Sequence, residues 1–170
     1  MSAEVQVENE PLCAPLLREA IELREASLVV FRHRLLVELK TDLLEGGVCA
    51  YEEDGYVSWQ IGPLDGHHIH LSIEKVDAVE FVAEPTSCQG GKLNYTVWFQ
   101  VAFDAGNPYR DGGYFSVTLN APYDARGKTR WEVVDPVFEL YRAFEGEPWV
   151  RADETFRREL EARDARRAVK

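Results

Sequence analysis

The chain is poor in the residues that most often announce a function. Its three cysteines, Cys13, Cys49 and Cys88, are odd in number and match no zinc or redox spacing, so neither a disulfide framework nor a cysteine metal cage is a starting point. Bases are the minority. With 19 Lys and Arg against 30 Asp and Glu, the formal charge is −11, which argues against general affinity for nucleic acid or anionic membrane. No apolar run approaches the ~18 residues that suggest a membrane span. The opening residues, Met1-Ser2-Ala3-Glu4, show no charged-then-apolar leader, and with thiols read as reduced the expectation is a cytoplasmic protein. Nucleophile elbow, Gly-rich phosphate loop and cysteine–histidine pairing are all missing, so none of these motifs signals catalysis. The chain has only four histidines.

What is present is one domain's worth of strands between helices. The 170 residues suit a single domain, with a core expected over 12–150 and a charged, peripheral helix over 151–170. Residues 1–11 read as a polar arm. Pro15 to about Glu25 carries a helical apolar pattern opened by proline. Ser27 to Lys40 reads as strand, and so do Val57–Ile61, Leu93–Phe103 and Tyr114–Asn120. Trp131, Val134, Phe138 and Tyr141 form a helical stripe, in which Pro136 suggests that the regular helix begins only at Asp135. Asp153 to Arg167 is a charged helix whose apolar anchors are Phe156 and Leu160. This order implies an α+β fold: a curved, split-barrel-like antiparallel sheet flanked by N- and C-terminal helices.

Three of the four histidines fall in one stretch, Gly66 to Val82. It reads as two strand segments. In the first, Ile69, Leu71 and Ile73 alternate with His68, His70, Ser72 and Glu74, so one face is aliphatic and the other lines up polar groups. Two imidazoles so placed can share a metal ion or flank a planar ligand. The plainer reading is an amphipathic strand with its polar face in water. By alternation the sheet core is Ile69, Leu71, Ile73, Val79, Phe81, Val97, Phe99, Val101, Phe103, Phe115, Val117 and Leu119.

The spacing of Gly62, His68, His70 and Glu74 resembles the first metal motif of the cupins, which would make His68, His70 and Glu74 ligands of a divalent transition metal in a small-molecule enzyme. The likeness stops there: Phe81 stands where that motif has glycine, and no histidine follows His70. His67 points away from His68 and closes a turn, while His33 lies between Arg32 and Arg34. Arg110, Arg126, Lys128 and Arg130 sit in or beside turns, where they either hold the acidic groups of a ligand or stand as scattered surface cations. Trp59, Trp98, Tyr95 and Tyr114 offer flat surface for a planar ligand, or core filling.

The segment order also resembles the bacterial cytoplasmic haem-utilisation proteins of the HemS/ChuX/HutX type. The run His68 to Val82 looks like their paired strands. Tyr95–Val101 and Phe115–Leu119 resemble the next strands of that family, and Trp131 the aromatic that opens its helix. The likeness covers residues 57–144. It implies a haem or tetrapyrrole binding or trafficking protein, with His68, His70, Trp98 and Arg110 as candidate haem contacts. Larger members carry two such units and this chain one, so the resemblance, with the uncovered strand edges and the outward Trp98 and Tyr114, also implies a homodimer. A protein that keeps only the fold is the remaining alternative.

Overall fold

The computed structural model describes residues 10–32, 35–44, 47–53, 56–63, 65–102, 105 and 115–168. The fold is α+β. Among the described residues, nine strands and three α-helices run in the order α1 (Ala14–Ile21), β1 (Ala26–Arg32), β2 (Leu35–Lys40), β3 (Val48–Glu53), β4 (Tyr56–Ile61), β5 (Ile69–Leu71), β6 (Ala78–Pro85), β7 (Leu93–Gln100), β8 (Phe115–Leu119), α2 (Trp131–Phe144), β9 (Val150–Ala152) and α3 (Glu154–Ala168). Six of the strands form one sheet in the order β2-β1-β8-β7-β6-β9, and three form a second in the order β3-β4-β5. All pairings between these strands are antiparallel except that of β6 with β9.

The register shows why this sequence makes one buried face. Cross-strand partners line up in rows across the whole sheet: Leu39–Leu28–Val117–Val97–Phe81–Ala152, and beside it Val37–Val30–Phe115–Phe99–Val79–Val150. Because side chains alternate along each strand, both rows lie on one face. Val79, Phe81, Val97, Phe99, Phe115, Val117 and Leu119 are buried there, as alternation predicts, and the Phe99 and Phe115 rings stack at 4.6 Å. Leu16 and Leu17 of α1, Val134 and Phe138 of α2, Phe156 of α3, and Trp59 and Ile61 of β4 complete the same core. Of the other expected core residues, Leu71, Ile73 and Val101 are buried and Ile69 is half-buried, while Phe103 lies outside the described residues.

Several boundaries differ from the sequence expectation. Ser27–Lys40 is two strands, β1 and β2, paired antiparallel as a hairpin. Helix α1 stops at Ile21 because the chain must reverse into β1, and Glu25 takes up a left-handed φ of 51° on the way. Helix α2 begins at Trp131, with Pro136 inside it. Proline there forfeits the backbone bond to the Glu132 carbonyl. Burial of Val133, Val134, Val137 and Phe138 outweighs that local cost. Strand β7 ends at Gln100 rather than Phe103.

Strand β9 has no counterpart in the sequence reading. It straddles the expected 150/151 boundary and joins α3 to the sheet edge. Phe156 and Leu160 are buried, as expected, but so is Arg163 at 5% exposed. Its guanidinium meets Asp135 at 2.9 Å and Asp164 at 3.0 Å, and also reaches Glu139.

Candidate functional site

The three histidines lie at the edge of the small sheet. Strand β5 lasts only from Ile69 to Leu71 and pairs with β4 through Trp59↔Leu71, Gln60↔His70 and Ile61↔Ile69. On the face turned from the core, Cys49, Gln60 and His70 are successive cross-strand partners. Gln60 is 2% exposed, and its Nε2 donates to the Gly62 carbonyl at 3.0 Å.

The loop before β5 is held by Gly62. Its φ is 101°, and a Cβ there would sit 2.4 Å from the His67 carbonyl oxygen and 3.1 Å from the His68 Cα. Only glycine allows both the backbone angle and the close approach. The turn therefore folds back against the end of β4 and sets His68 beside His70. The two rings meet edge to face, with centroids 5.1 Å apart. His68 Nδ1 lies 3.0 Å from the Gly66 carbonyl oxygen. A carbonyl can only accept, so Nδ1 carries the proton, and in the neutral ring the Nε2 lone pair is left for a ligand. That is the arrangement in which a second hydrogen bond fixes the tautomer of a metal-binding imidazole. Both rings are exposed, and so is His67.

Glu74 does not continue this face. The chain leaves the strand after Leu71, and Ile73–Lys75 form a turn of 3-10 helix. Burial of Ile73 and Val76 drives that turn, and the Glu74 carboxylate instead accepts from Ser72 Oγ at 2.8 Å. Among the described residues, no group of three or more His, Cys, Asp or Glu side chains could hold a metal ion. The trio His68, His70 and Glu74 is thus not brought together as the cupin reading requires.

Trp98 stands on the other sheet. It is half-buried on the face opposite the core, where its ring packs 5.3 Å from Phe31. It therefore already has an aromatic partner within the chain. Arg110, Tyr114 and His33 lie outside the described residues. Arg130 is committed elsewhere: its guanidinium grips Glu25 at 2.5 Å and Glu132 at 3.1 Å, and the bond to Arg130 holds Glu25 below the usual carboxylate range. Arg126 and Lys128 are exposed, and their backbone N–H groups donate to Asp124. Tyr95 and Trp59 belong to the core, where burial raises the pKa of the Tyr95 hydroxyl and the Trp59 Nε1 finds no partner among the described residues. Cys13 is also buried, which pushes its thiol up to about 12 and makes it unreactive near neutrality.

Sequence reasoning missed Gln60 as the cross-strand neighbour of His70, with Cys49 on the strand beyond it. Only the strand register places them there, and no local motif signals it.

No family model matches the chain, and no curated protein matches it significantly. Among solved structures it is similar to the crystal structure of ChuX, with a TM-score of 0.53 over 78% of this chain and 72% of that one, at 12% identity. The chain has a ChuX-like fold. No helix among the described residues is long and apolar enough to cross a membrane.

Proposed function

We propose that this single-domain chain binds a haem-type tetrapyrrole on the outer face of its small sheet, with His68 Nε2 as the nitrogen offered to the iron. The observation that carries the reading is the His68 Nδ1–Gly66 bond, on a chain with a ChuX-like fold. The donor chemistry fits. A neutral imidazole with an oriented lone pair would suit a haem iron, and His70 stands next to His68 as a second donor that could help to hold it. When bound, the iron would supply whatever redox or ligand chemistry the group carries. The chain's own part is to hold His68 in one tautomer, through Gly66, and in one place, through Gly62. The exposure of both rings suits a carrier that takes up and passes on its ligand rather than an enzyme that excludes water. Delivery within the cytoplasm accords with this reading.

Titration with hemin tests it. The expected result is a sharpened Soret band that saturates at one equivalent, is lost in His68→Ala and is weakened in His70→Ala. Gly62→Ala should weaken binding as well, since the turn must open to admit a Cβ. Saturation that survives His68→Ala, or an unchanged hemin spectrum with the wild type, would sink the proposal. A cupin-type enzyme would instead return with one transition metal on elemental analysis, and the turn at Glu74 speaks against that second reading.

A further inference from the structure

A groove of about 890 Å³ is lined by residues of α1, of α2 and of the turn after α1. Its volume falls within the ~300–1,000 Å³ usual for small-molecule sites. Leu23, Val133 and Leu140, all buried, make its floor, and Trp131 and the exposed Pro136 stand at its side. The lining is thus apolar at the bottom, but the rim is acidic. Glu19 and Glu22 stand on the α1 side, and Glu132, Asp135 and Glu139 on the α2 side, against the single base Arg24. None of these residues belongs to the histidine site, so what the groove binds is a separate matter from the haem reading.

The acids of the two sides differ. Those of α2 are already answered: Glu132 pairs with Arg130, and Asp135 and Glu139 pair with Arg163 and Arg167. Glu19 and Glu22 are exposed and make no ion pair among the described residues. They stand three residues apart at the C-terminal end of α1, which closes at Ile21. Like charges at that spacing repel, and the negative end of the helix dipole opposes both. Arg18, one turn before Glu22, is turned to Glu10 instead. Arg24 is exposed and pairs with neither, and one positive charge against two leaves this rim negative. A cation in the groove would relieve what the helix itself does not. Trp131 adds aromatic surface of the kind that attracts cations, and its ring already holds the Arg166 guanidinium 4.0 Å from its centre.

We infer that the groove between α1 and α2 binds a small organic cation, its ammonium or guanidinium head held by Glu19 and Glu22 and its apolar body laid over Leu23, Val133 and Leu140. Both parts are needed in one ligand. Exposed carboxylates hold a cation only weakly in water, and burial of the apolar body against the floor supplies the rest. An anionic ligand of the same size is turned away by the same rim.

Three probes with the same apolar chain test it: octyltrimethylammonium, octyl glucoside and octanoate, each kept below its micelle-forming concentration. Backbone amide shifts of the full chain are followed by NMR during titration. Octyltrimethylammonium should saturate and move the amides of Leu23 and of 131–140, and it should bind about tenfold or more tighter than octanoate, with octyl glucoside between them. Glu19→Lys combined with Glu22→Lys should reverse the order of cation and anion while the circular dichroism spectrum stays unchanged. Glu147→Lys combined with Glu154→Lys makes the same change in net charge at exposed acids outside the groove and should leave the order as it is. The inference is overturned if octyltrimethylammonium does not saturate, if it binds no better than octanoate, or if its shifts map elsewhere. It is overturned equally if the two double variants weaken the cation alike, since that is the response of general charge and not of a site.

Discussion

The six-stranded sheet ends in two opposite ways. At one end β9 is only three residues long, yet that edge is closed. At the other, β2 is twice as long and stays open among the described residues. Strand length does not decide the matter; the next element along the chain does. After β9 the chain turns at Asp153, whose N–H donates to the Phe81 carbonyl at 2.9 Å. The Asp153 carboxylate then accepts from the Phe156 N–H at 2.6 Å, which caps α3. The helix lies against β6 and drives Phe156 among Phe81, Phe138 and Tyr141, at ring separations of 5.5, 4.9 and 5.4 Å. Nothing of the kind covers β2 among the described residues. The 3-10 turn after it buries Thr41 and Leu44 but leaves Leu43 43% exposed.

The sharpest way to break this contrast is to empty the closed edge. Phe156 is fully buried, and a large aromatic deletion from such a site costs about 3–5 kcal/mol. Phe156→Ala should therefore lower the denaturant midpoint strongly, whereas Val37→Lys at the open edge should change monomer stability by no more than about 0.5 kcal/mol. Equal losses from the two substitutions would show that the edges are not different in kind.

A smaller effect is expected from the ion pairs that fasten α3 to α2. Arg163 is buried, but its partners are not: Asp135 is 22% exposed and Glu139 55%. Deleting a member of a fully buried pair costs about 3–5 kcal/mol, and exposed pairs are worth about 0–1 kcal/mol. Arg163→Ala should fall between these limits, near ~1–3 kcal/mol, with part of the loss coming from its packing on the Phe138 ring. A double-mutant cycle with Asp135→Ala measures the coupling. A coupling indistinguishable from zero would mean that α3 is held by Phe156 and Leu160 alone.

The closed and open edges also differ in how far the sequence discloses them. Period-two alternation makes the strands 93–100 and 115–119 plain, because both are central and one face is wholly aliphatic. The anchors Phe156 and Leu160 stand out in an otherwise charged helix. Strand β9 does not, since three residues carry no period, and its pairing with β6 is a tertiary event. The hairpin of β1 and β2 reads as one strand because no glycine or proline stands between them in the sequence to mark its reversal. At the candidate site, adjacency makes His68 and His70 visible, and Gly62 falls within a legible turn. The break after Leu71 is hidden, because Ile73 and Glu74 continue the alternation that the backbone abandons. Burial of Ile73 and Val76 from a turn ends the strand there, a choice made by the core and not by the local pattern.

The least effect, and the most specific to the closed edge, is its response to acid. Asp164 on α3 accepts from Arg142 on α2 at 2.7 Å and from Arg163 at 3.0 Å. These bonds, that from Arg142 foremost, hold its carboxyl below the ordinary aspartate range. A carboxyl whose pKa is lower folded than unfolded adds stability that is complete above the unfolded value, near ~4. That stability drains away as the pH falls through the folded value. The group is partly exposed and screened, so the contribution is about 0.2–1 kcal/mol. The wild type should therefore lose more stability between about pH 5 and pH 2.5 than Asp164→Asn does, and the two should run parallel above about pH 5. Hydrogen exchange in α3 should rise over the same interval in the wild type, while the central strands β7 and β8 keep their protection. Identical pH slopes for wild type and variant would remove Asp164 from the account of what closes this edge.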